Sequence, residues 1–68
     1  MIHTEHDYFE VGYKYERGDQ AIVFTIRSML DKEKPHDQTE ARHMIAAGRA
    51  EAALTRIFTI RSNFKKAA

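Results

Sequence analysis

The sequence predicts a small α+β domain of order β-β-α-β, a three-stranded sheet (strand order 2-1-3) with one helix packed on one face. Three observations lead there. Two short runs rich in β-branched and aromatic residues flank a polar, glycine-containing turn. A stretch of helix formers follows the single proline, Pro35. The pentapeptide Phe-Thr-Ile-Arg-Ser at residues 24–28 recurs letter for letter at residues 58–62.

Residues 8–15 alternate as a first strand, with Phe9, Val11, Tyr13 and Tyr15 on one face and Tyr8, Glu10, Gly12 and Lys14 on the other. Gly12 inside a strand suggests a bulge or a close backbone approach. Residues 16–20 form the turn, where Gly18 can supply a positive φ. Residues 21–28 make the second strand, with Ile22, Phe24 and Ile26 inward and Val23, Thr25 and Arg27 outward.

Pro35 bars a helix from running through residues 29–36. Asp37 with Glu40 three residues later then reads as a capped helix start, and helix formers continue to about Leu54. Ala41, Met44, Ile45, Gly48 and Ala52 share one side at helical spacing and should face the sheet. Gly48 costs about 1 kcal/mol of helix propensity relative to alanine, which points to a close helix–sheet approach or else to a break in the helix.

Residues 55–62 are the ambiguous segment. Their composition favours strand, yet Ala50, Ala53, Leu54, Ile57, Ile60 and Phe64 also keep helical spacing. The repeated pentapeptide, placed in phase with the second strand, favours a third strand, parallel to the second through a right-handed crossover. The alternative is a β-hairpin followed by one long or broken C-terminal helix.

The chain has 68 residues, which allows one domain, 1–68, with 1–7 and 65–68 frayed. Nine of its 29 hydrophobic residues are alanine and only two are leucine, so the core must be small. No cysteine is present, which removes disulfides and thiolate metal sites. With no long apolar run and no signal-peptide pattern, the chain reads as cytoplasmic, with no membrane partner.

Chemistry-bearing motifs are few. Arg17-Gly18-Asp19 matches an adhesion tripeptide, but a polar turn explains it better. His3, Glu5, His6 and Asp7 crowd the N-terminus without a second histidine pair at ligand spacing, so no metal and no cofactor is expected. No nucleophile–base set, carboxylate pair or glycine-rich phosphate loop stands out, and no enzyme is expected.

Charge is the more informative feature. Residues 1–40 hold nine acids against five bases, net −4, while residues 41–68 are net +5. Arg42, Arg49 and Arg56 recur every seven residues and would form a row on a helix. Arg27, Arg61, Lys14 and Tyr8 add to the outward sheet face. These seven are the expected partner-binding residues, for arginine forks suit carboxylate and phosphate alike. The expected function is therefore a non-enzymatic module that binds and regulates or inhibits a larger protein with an acidic surface. Its size suits a phage or mobile-element accessory protein. The alternative is RNA or DNA binding through the basic half, against which stand the near-neutral total charge and the scarcity of outward aromatics. Ala46, Ala47, Ala50 and Ala53, with His43 and Leu54, line a second helix side and suggest a homodimer.

Overall fold

The computed structural model describes the backbone of residues 1–67 and the side chains of residues 1–59. It holds three helices: α1 (Glu5–Glu16), α2 (Ile22–Asp31) and α3 (Pro35–Ala67). No strand occurs among the described residues, so the α+β expectation is overturned. Both expected hairpin strands are helices, and residues 55–62 continue α3. The alternative fails too, at its hairpin.

The local physics explains the change. Thr4 caps α1: its side chain accepts from the Asp7 amide at 3.1 Å while Asp7 Oδ2 accepts from the Thr4 amide at 3.1 Å. Tyr8, Val11, Gly12 and Tyr15 then stand at helical intervals, and the first three are buried. The helix ends in a Schellman arrangement. The Asp19 amide donates to the Lys14 carbonyl and the Gly18 amide to the Tyr15 carbonyl, both at 3.1 Å. Gly18 has the positive φ, 104°, that this turn requires, but it joins two helices.

In α2 the inward set is Ile22, Ile26, Met29 and Leu30, a helical spacing. Phe24, which alternation placed in the core, is 73% exposed. The α2–α3 turn is tied by Gln38, whose Nε2 donates to the Leu30 carbonyl at 2.9 Å and the Glu33 carbonyl at 3.2 Å. Pro35 opens α3, where its missing N–H costs nothing. The sequence had placed that start at Asp37.

Helices α1 and α3 run in the same direction and cross at two glycines. A Cβ on Gly12 would lie 2.8 Å from the Ile45 carbonyl carbon, and one on Gly48 would lie 2.9 Å from the Phe9 carbonyl carbon. Each glycine therefore receives the other helix's backbone. The close approach expected of Gly12 and Gly48 is present, but between helices.

Tyr8, Val11, Met29 and Ala41 form the buried centre, with Ile22, Ile26, Leu30, Met44 and Ile45 packed around it. Among the described residues one charged side chain is buried there: Glu33, 6% exposed. Its Oε2 accepts from the Tyr8 hydroxyl at 2.6 Å and the His3 amide at 3.4 Å, and its Oε1 from the Ile2 amide at 2.6 Å. Burial pushes the Glu33 carboxyl up, but these donors and the N-terminal charge outweigh it and hold the group below the usual carboxylate range. Burial first, then the Glu33 carboxylate, raise the Tyr8 phenol above its ordinary value.

The molecule measures 51 × 20 × 13 Å. At about 1.5 Å per residue the 33 residues of α3 span that whole length, whereas the 12 of α1 cover less than half. The far part of α3 extends past the bundle as an arm. Among the described residues no helix is long and apolar enough to cross a membrane.

Candidate protein-interaction surface

Because α1 occupies the Ala41–Gly48–Ala52 side of α3, the opposite side is left without a helix against it. Ala46, Ala47 and Ala50 are exposed there and Ala53 is half-buried. Further along, Leu54 and Ile57 are each 52% exposed and Phe58 is 67% exposed. Three large apolar side chains within five residues form an exposed apolar stretch.

A shallow cleft lies on the α1 side of α3, where α1 stops. Arg17, Thr55, Arg56 and Thr59 line it over Ala52, enclosing about 220 Å3. The Arg56 guanidinium donates to the Glu16 carbonyl at 3.0 Å, which stations it at the end of α1. The Arg17 guanidinium lies 5.8 Å from the Tyr13 ring centre and 3.4 Å from its hydroxyl. That hydrogen bond, then one from Thr55, holds the Tyr13 phenol below its ordinary value.

The seven residues expected to bind a partner are dispersed. Tyr8 is fully buried and offers no surface. Lys14 pairs with Glu10 at 3.1 Å on the outer side of α1. Arg27 and Arg42 are exposed on α2 and α3. Arg49 is engaged within the chain: its Nε meets Glu16 Oε2 at 3.1 Å, and its guanidinium sits 5.0 Å from the Tyr15 ring centre. Arg56 lines the cleft at the end of α1. The Arg61 side chain lies outside the described residues.

Sequence reasoning passed over Phe58 by assigning it to a buried strand face, and it passed over Arg17 as part of a turn. The helical spacing of Leu54, Ile57 and Phe58 was the available signal. On the outer side of α1, Phe9 and Tyr13 floor an open groove of about 610 Å3 bordered by His6, Glu10 and Lys14.

Asp7 and His3 of the N-terminal cluster make contacts within the fold. Backbone and side-chain hydrogen bonds from Thr4 hold the Asp7 carboxyl below its ordinary value. His3 packs edge-on to the Tyr8 ring at 5.9 Å, and His6 lies 3.9 Å from Glu10. Among the described residues no group of three or more His, Cys, Asp or Glu side chains could hold a metal ion. No protein-family model matches the chain, and comparison with curated proteins and with solved structures finds no match.

Proposed function

We propose that the protein is a non-enzymatic interaction module that binds a larger protein through the arm of α3. Leu54 and Phe58, one helical turn apart, supply the apolar contact, and the Arg56–Arg17 cleft, on the other side of the arm at the end of α1, receives a carboxylate from a partner that wraps round it. The observation that carries the reading is the exposure of Leu54, Ile57 and Phe58 on the far part of α3. Buried aromatics and arginines are the side chains that dominate protein interfaces. The nucleic-acid alternative is weaker, because Arg49 of the heptad row is paired with Glu16 and the exposed stretch of the arm is apolar.

The test is affinity capture from the native host with wild type and with Phe58→Glu, followed by titration of the captured protein in purified form. The reading expects a partner lost from Phe58→Glu and bound at least tenfold more weakly by Arg56→Lys, since lysine cannot reproduce the bidentate fork. Equal capture by the Phe58 variant would refute it. So would submicromolar, salt-sensitive binding of random oligonucleotides that persists in Arg56→Lys.

A further inference from the structure

Helix α2 rests on α1 more closely than on α3, and a gap stays open where the three helices meet. Val23 and Ile26 of α2, Ile45 of α3 and the ring of Tyr15 from α1 wall a depression of about 250 Å3. The three aliphatic side chains are half-buried and Tyr15 is 37% exposed, so the fold leaves apolar surface there in contact with water. Two exposed guanidiniums complete the lining, Arg27 from α2 and Arg49 from α3, and no acidic side chain belongs to it. The expected sheet face and helix row kept these two arginines apart. Three helices bring them to one apolar depression.

We propose that this junction binds a free monocarboxylic acid with a short apolar body. The body covers Val23, Ile26 and Ile45, and each methylene so buried strengthens binding about fourfold. The carboxylate meets the two guanidiniums, whose forks suit it. Arg49 is already fixed for that role: its Nε meets Glu16 Oε2 at 3.1 Å, and its guanidinium sits 5.0 Å from the Tyr15 ring centre. Its two terminal nitrogens carry no hydrogen bond among the described residues, and Arg27 has no ion pair among them.

Charge and size narrow the ligand further. Two guanidiniums less the Glu16 carboxylate leave one positive charge, which matches a monoanion rather than a phosphate dianion. The volume lies just under the roughly 300 Å3 at which ordinary ligand pockets begin, so a short chain fits and a long tail would run out into water. None of these residues belongs to the apolar stretch of the arm or to the Arg56–Arg17 cleft. The acid site and the proposed docking of a larger protein therefore stand or fall separately.

Hexanoate is the probe, titrated into isotope-labelled protein and followed by backbone amide shifts. The shifts should centre on Tyr15, Val23, Ile26, Arg27, Ile45 and Arg49, with a dissociation constant of about 1 mM or lower. Hexylamine keeps the apolar body and reverses the charge, whereas acetate keeps the charge and lacks the body. Each should bind roughly tenfold more weakly or worse. Arg27→Gln, at an exposed position, should keep its helical circular dichroism and lose roughly tenfold in affinity. Phe58→Glu should bind hexanoate as wild type does. N-acetylated Gly-Leu with a free C-terminus, which offers the same chemistry on a peptide, should bind more weakly than hexanoate. Tighter binding of that peptide would overturn the assignment to a free acid. Amine or acetate matching hexanoate, wild-type affinity in Arg27→Gln, shifts centred on the Phe9–Tyr13 groove, or no shift at about 10 mM hexanoate would overturn the site itself.

Discussion

At the crossing of α1 and α3, Gly12 and Gly48 set how closely two backbones approach, and backbone atoms cannot swing aside for a methyl group. In an exposed helix interior Gly→Ala adds about 1 kcal/mol of stability. Here the sign reverses. Gly48→Ala should cost about 1–3 kcal/mol or more by forcing the helices apart, read as a lowered midpoint in chemical denaturation. Gly12→Ala should behave the same way. The other decisive residue pair is Tyr8–Glu33. Tyr8→Phe removes a donor at 2.6 Å from a buried carboxylate and should cost about 1–3 kcal/mol. Because the Glu33 carboxyl is held below its unfolded value of 4.5, its stabilising contribution is complete above that pH and is lost as pH falls through the folded value. Thermal melts from pH 6 to pH 3 should therefore show a decline that is shallower in Glu33→Gln. An equal slope in the two proteins would remove Glu33 from the account of acid sensitivity.

Among the elements, α2 shows how a helix can resemble a strand in sequence. Ile22, Phe24 and Ile26 alternate, and their β-branched, aromatic composition favours extended chain. The helical set is Ile22, Ile26 and Met29, with Phe24 left in solvent. Met29→Ala should accordingly cost about 2–4 kcal/mol, whereas Phe24→Ser should change stability by less than about 0.5 kcal/mol. A large loss from Phe24→Ser would restore the strand. The duplicated pentapeptide misled for a related reason. Both copies are helical, and Phe24 and Phe58 are both exposed, so the shared letters record no shared strand face. What the sequence did disclose was local: the Gly18 turn, the close approach implied by Gly12 and Gly48, and the inward set of α3. The cap Thr4-x-x-Asp7 also stands in the sequence, ahead of the aromatic alternation, and was passed over. The crossing partners of the glycines were not legible, since nothing local says whether a small residue meets a strand or a helix. The same ambiguity hid Phe58 as a surface residue.

Across the whole molecule one helix does two jobs. The inner side of α3 organises the core against α1, and its outer side and far end are left for other molecules. This division follows from length: α1 and α2 are too short to cover 33 residues of helix. It also relates the charge asymmetry to shape, with the acidic bundle at one end of a 51 Å rod and the basic arm toward the other. Everything proposed for the arm depends on α3 being continuous. Backbone carbon chemical shifts test that most directly. The account predicts helical values over Ile22–Asp31 and without interruption from Pro35 through Thr59, with breaks at residues 17–21 and 32–34. Extended-chain shifts over residues 23–27 and 55–59 would contradict it, and with it the docking surface assigned to the arm.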